Sequence, residues 1–161
     1  MAHPDLDDLL TELALPARLF LEDQGDFEPF AAVLDLRGEA RLFAGDAGEG
    51  RGEPGPRVEA LAVLEDGLRE LARDEGVRAV GVCWIALVDR GECGIWRRAI
   101  ATGLEHAEGE AVNVFQTYDR GADGELRFDE PFAGIRERAL FRAESRPPRL
   151  RLLPPPTARA R

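Results

Sequence analysis

One stretch constrains this chain more than any other: "VRAVGVCWIALVD", Val77 to Asp89. Its near-continuous run of β-branched, aromatic and small apolar residues is the composition of a central strand covered on at least one face. A chain that holds such a strand must build a sheet around it and bury that sheet. The run is short of the 18 or so apolar residues that a membrane-spanning helix needs.

The flanking sequence supplies the rest of the sheet. "RGECG" turns into "IWRRAIATGLEHA", Ile95 to Ala107, and Glu108-Gly109 turns into "EAVNVFQTYD", Glu110 to Asp119. "GADG" then leads to "ELRF", giving a meander of four antiparallel strands. Upstream, Phe30 to Leu36 and Ala40 to Ala44 flank Arg37-Gly38-Glu39 and read as a hairpin, with Gly38 supplying the positive φ of a tight turn. The spacing of Leu61, Leu64, Leu68 and Leu71 predicts a principal helix from Arg57 to Glu75, ended by Gly76. Leu6, Leu9, Leu10 and Leu13 form one stripe of an N-terminal helix. Pro4 and the early aspartates suit its first turn, and Pro16 is expected to kink or divide it.

These elements define an α+β fold: two layers, with a mainly antiparallel five- or six-stranded sheet, one principal helix and an N-terminal helix. Ala79, Gly81 and Cys83 share one strand face, and Ala99, Ala101 and Gly103 share another. If these small residues lie together, they make a shallow seat for the Arg57–Glu75 helix. Val80, Val82 and Trp84 then stand beside Trp96, Ile100 and Leu104 on the opposite face. The N-terminal helix or a second copy of the chain must cover that apolar patch, and a homodimer is one expectation.

At 161 residues the chain is expected to form one domain, 1–141, followed by a tail, 142–161. The tail holds five prolines and six arginines and is expected to be disordered or extended. All 21 basic residues are arginine. Up to Phe141, 15 arginines face 30 acidic residues, while the tail has six arginines and one glutamate. A body at −15 repels nucleic acid and suits a basic protein partner, though net charge also serves plain solubility. Acidic residues crowd at Glu22, Asp23, Asp26 and Glu28, in the loop from Asp46 to Glu53, and from Glu105 to Glu110. The acidic N-terminus is unlike a signal peptide, so a cytoplasmic protein with no membrane segment is expected, with Cys83 and Cys93 as free thiols.

Catalytic signatures are sparse. His106 sits between Glu105 and Glu108 near a strand end, with Glu110 and Asp119 as further acidic neighbours. A histidine flanked by carboxylates serves as a general base or a metal ligand, and equally as a structural residue. Alternation places Glu105 on the opposite face from His106. His3 lies at the N-terminus, and no HxxH, HxH or CxxC spacing occurs, so no metal site and no cofactor is expected. The glycine-rich loop Gly45 to Gly55 carries acids that repel phosphate, and "DRGADGE", Asp119 to Glu125, lacks the spacing of a calcium loop. The repeated Glu-Pro-Phe-Ala at Glu28–Ala31 and Glu130–Ala133 reads as a device placed where an element starts, since proline cannot donate to a sheet ladder.

Four stretches, "FEPFAAVLDLRGEARL", "LEDGLRELARDEGVRAV", "GLEHAEGEAVNVFQTY" and "GELRFDEPFA", resemble a family of small uncharacterised bacterial cytoplasmic proteins over Leu19 to Phe141. The resemblance implies a compact α+β domain and brings no catalytic residues. The element order is also that of roadblock, longin and profilin-like domains. The expected function is a non-enzymatic binding protein docking a basic partner. The alternatives are a small hydrolase-like or metal-assisted enzyme using His106, and a roadblock-like dimeric scaffold.

Overall fold

The computed structural model describes residues 3–44, 57–89 and 94–141. The apolar run forms β3 (Val77–Asp89), and around it stand β1 (Phe30–Asp35), β2 (Ala40–Ala44), β4 (Trp96–His106), β5 (Ala111–Arg120), β6 (Leu126–Phe128) and β7 (Phe132–Gly134). The strand order is β2-β1-β3-β4-β5-β6, with β7 also pairing β5, and every pairing is antiparallel. The α+β class and the antiparallel sheet match the sequence reading. Phe132–Gly134 forms a seventh strand, one more than the five or six expected.

Each sheet face carries one helix, so the layering is helix, sheet, helix. The helix α1 (Pro4–Gln24) buries Leu6, Leu9, Leu13, Ala17 and Leu21. It packs with Ala32, Leu34, Ala79, Cys83, Ile100 and Leu104. The helix α2 (Arg57–Asp74) sets Leu64 and Leu68 against Ala31, Val33, Val80 and Val82 on the other face.

This reverses the expected seating of the principal helix. The cause is register. Ala79 pairs with His106, Gly81 with Leu104 and Cys83 with Thr102, so the small side of β3 lies beside the bulky side of β4. Aligning small with small would need a slip of one residue, and one residue flips every side chain. Neither face is uniformly shallow. On the α1 side the hollow at Gly81 is filled by Leu13 and Leu104: a Cβ there would stand 2.7 Å from Leu13 Cδ1 and 2.9 Å from Leu104 Cδ2. The two tryptophans accordingly fall on opposite faces. Trp84 packs into the α2 core, while Trp96 is exposed beyond the end of α1. The single apolar patch that motivated a homodimer is therefore divided.

Pro16 does not divide α1, which runs unbroken for 21 residues. Proline removes one helical hydrogen bond, but Leu13 and Ala17 on either side are both fully buried, and that packing holds the axis. Gly25, with φ 76°, closes the helix by returning its N–H to Leu21 O at 2.9 Å. Among the described residues no helix is long and apolar enough to cross a membrane. The 142–161 tail lies outside the described residues.

Candidate functional site

His106, at the end of β4, meets the start of α1. The helix begins because His3 adopts an extended backbone and its Nδ1 accepts the Asp5 N–H at 3.1 Å, with Pro4 in the first turn. Asp5 points inward and is buried. Its Oδ2 lies 2.8 Å from His106 Nε2, and Arg78 Nη2 and Nε donate to its Oδ1 and Oδ2 at 2.9 and 3.2 Å. The rings of His3 and His106 stack with centroids 3.8 Å apart. The His3 backbone N–H donates to Glu110 Oε2 at 3.0 Å.

The hydrogen bonds fix the protons. His106 Nδ1 accepts the Glu108 N–H at 3.0 Å, so the ring proton sits on Nε2 and is donated to Asp5. Burial opposes ionisation of Asp5, but the His106 hydrogen bond and the charge and hydrogen bonds of Arg78 outweigh it and hold the carboxyl below its ordinary range. The structure thus supplies His106 with a carboxylate other than those expected. Asp119 is taken by Arg97, at 2.6 Å, and Glu110 reaches the backbone of His3 rather than His106.

His3, Asp5 and His106 offer ligand atoms that all lie within 4.8 Å of one another. They do not fit a metal. Both His106 nitrogens and His3 Nδ1 already have hydrogen-bond partners, Arg78 covers both Asp5 oxygens, and near-parallel stacked rings direct their lone pairs alongside each other rather than to one point. The cluster is a clasp between α1 and the sheet.

Glu105 faces the other way, as alternation requires, and is fully buried. Arg136 Nε donates to its Oε2 at 3.1 Å, and the backbone N–H groups of Ala139 and Leu140 donate to its Oε1 at 3.0 and 2.8 Å. The carboxylate ties down the segment after β7, whose Leu140 joins the α2 core. Glu105 is therefore no part of an acidic surface.

Cys83 is a buried core thiol; burial pushes its pKa up to about 12, against a small opposing effect of the Thr102 hydroxyl. Cys93 and the Gly45–Gly55 loop lie outside the described residues. The "DRGADGE" stretch forms the β5–β6 turn, closed by Gly121 N–H to Glu125 O at 2.8 Å. Both Glu-Pro-Phe-Ala copies precede or open a strand, β1 at Phe30 and β7 at Phe132.

The outward side of α1 carries a surface that the sequence reading missed. Asp8, Glu12, Leu15, Leu19, Glu22 and Asp23 are all exposed, Leu15 by 63% and Leu19 by 54%. Asp8, Glu12, Leu15, Leu19 and Glu22, spaced by four, three, four and three residues, share one stripe, opposite the buried Leu6, Leu9, Leu13 and Ala17. Arg18 is drawn aside, onto Gln116 Oε1 at 2.9 Å and over the Phe128 ring. The periodicity itself was available in the sequence; expecting a break at Pro16 concealed it. The acidic groups lie toward the two ends of a helix about 30 Å long, with two leucines between them. No family model, curated protein or solved structure matches this chain.

Proposed function

We propose that this protein is a non-enzymatic binding module whose outer α1 face docks a basic, amphipathic helical segment of a partner protein. The observation that carries this is the exposed stripe Asp8–Glu12–Leu15–Leu19–Glu22. Its alternating spacing of three and four is the pattern by which one helix reads another, with apolar anchors at the centre and charges at the rim.

The stripe is not explained by the stability of the chain. Glu22 and Asp23 occupy the last turn of α1, where the helix dipole is negative and the turn itself holds no basic residue; Arg18 lies one turn back, drawn onto Gln116, and Arg120 of β5 donates to Leu21 O at 3.3 Å. Each such acid is unfavourable there by about 0.3–1 kcal/mol. A cationic partner at that end would relieve the repulsion. The acidic body would also steer a basic partner toward it, at a rate that falls with salt. Both His106 nitrogens are engaged in hydrogen bonds, which favours a binding role over hydrolysis through that residue.

The test is a pull-down from native lysate with the full chain and with a Leu15→Ser/Leu19→Ser double variant. One basic protein held by the first, absent from the second and released by salt is the expected result. Equal capture by both baits would contradict the proposal.

A further inference from the structure

β2 is the outer strand at one end of the sheet, and its free side is unguarded. The opposite end is blunted: β6 and β7 are three residues each, and Pro131 stands between them. β2 instead runs for five residues in unbroken register against β1, with no proline and no bulge. Its one charged residue, Arg41, is turned onto Glu75 at 3.3 Å. Among the described residues nothing pairs with its outer side.

The hairpin fixes which groups that side presents. Asp35 N–H donates to Glu39 O at 3.0 Å, so Asp35 and Glu39 form a hydrogen-bonded pair. Bonded pairs recur every second residue, so Val33 with Arg41 and Ala31 with Phe43 come next. The N–H and C=O groups of Ala40, Leu42 and Ala44 therefore point outward. Both faces beside them are apolar. Leu42 is 53% exposed on the α1 side. On the α2 side Phe43 floors a groove of about 280 Å³ completed by Val63, Gly67 and Leu71.

We propose that this edge pairs antiparallel with the same edge of a second copy of the chain, about a two-fold axis through Leu42. Three observations select that occupant. First, the outward groups are symmetric about Leu42. Leu42 meets Leu42 of the second copy, Ala40 meets Ala44 and Ala44 meets Ala40, and each of these pairs exchanges both main-chain bonds. Second, the same register sets Arg41 opposite Phe43 of the second copy, and Phe43 opposite its Arg41, on the α2 face. Arg41 already reaches over its own Phe43, 5.9 Å from the ring centroid, and a cation beside an aromatic ring is a favourable cross-strand pair. Third, the exposed apolar groups lie where such a strand covers them. The two Leu42 side chains stand side by side, and Phe43 of the second copy lies diagonally beside Phe43 at the groove. This interface uses neither tryptophan and leaves the α1 stripe free.

Sedimentation equilibrium of the full chain tests this, at salt high enough to screen repulsion between two acidic copies. A dimer is expected in wild type. Leu42→Pro removes an outward N–H and keeps every bond of β2 to β1, so it should be monomeric with an unchanged circular dichroism spectrum. Leu42→Lys sets two cations across the axis and should also be monomeric, which decides the matter if the proline variant unfolds. Oxidation reads the register. Facing Leu42 Cα atoms stand about 5.5 Å apart, within disulfide reach, so Leu42→Cys should cross-link two copies at that position, mapped by mass spectrometry. Ala40 stands four residues along the strand from Ala40 of the second copy, about 13 Å. Ala40→Cys should therefore cross-link at least about tenfold less. A wild type that stays monomeric at the highest concentration measured, or equal cross-linking at positions 40 and 42, would overturn the proposal. A dimer that persists in Leu42→Lys would overturn it too and assign self-association to another face.

Discussion

His106 Nε2 lies 2.8 Å from Asp5 Oδ2, joining the last residue of β4 to the first turn of α1 across 101 positions of sequence. Arg78 holds the same carboxylate from the neighbouring strand. The pair pins the helix whose outer face forms the proposed docking surface. Replacing Asp5 by alanine strands a buried imidazole N–H and should lower stability by about 1–3 kcal/mol in chemical denaturation. Asp5→Asn keeps an oxygen for His106 and should cost less. Equal losses in the two variants would show that the His106 bond contributes little.

The same carboxylate sets a direction for pH. Asp5 is held below its ordinary value of 3.8 by His106 and Arg78 against the opposing effect of burial. Asp35 is held low by the backbone N–H of Glu39, then by the Arg37 N–H and nearby arginines. A carboxyl depressed in the folded state contributes stability that is complete above its unfolded value and lost as pH falls through the folded one. Stability from these two groups should therefore be flat above about pH 5 and decline below 3.8. In Asp5→Asn the acid limb of the thermal-melting profile should be shallower.

Gly81 tests the seating of α1. A side chain there meets Leu13 and Leu104 at under 3 Å, so Gly81→Ala should destabilise by about 1–3 kcal/mol through overpacking. Pairing it with Leu13→Ala should recover part of the loss, because the methyl then has room. A fully additive double variant would mean that α1 does not pack on this residue.

Cys83 should resist alkylation in the folded protein at pH 8 and react once the chain is unfolded, because burial raises its pKa to about 12 and closes access. Rapid native modification, mapped to Cys83 by mass spectrometry, would show that α1 opens readily from the sheet.

Much of this architecture was legible in the sequence. The apolar run from Val77, the leucine spacing of α2 and the Gly38 turn carry local signals strong enough to place β3, α2 and the first hairpin. The alternation that separates Glu105 from His106 was equally plain. Facing was not. It depends on whether odd residues of β3 meet even or odd residues of β4, which is decided by a single residue in the connection. The partners of His106 were hidden for a different reason. Asp5 reads locally as a favourable first-turn acid and Arg78 as a strand polar residue, and only tertiary contact brings the three together. Leu15 and Leu19 were obscured by Pro16, whose local penalty is overridden by the burial of Leu13 and Ala17.

If α1 docks a basic helix, its outer stripe must carry the affinity. The direct measurement is titration of the full chain with a synthetic amphipathic helix bearing leucines at three- and four-residue spacing, flanked by arginines. Three proteins are compared: wild type, Leu15→Ser/Leu19→Ser, and Glu22→Lys/Asp23→Lys. The lysine variant should itself be more stable by about 0.3–1 kcal/mol per site, since it places cations at the negative end of α1. Both variants should bind the peptide at least about tenfold more weakly than wild type, with a salt dependence reduced only in the lysine variant. Equal affinity in all three would mean that the stripe is not a docking face and leave the acidic body as a solubility feature.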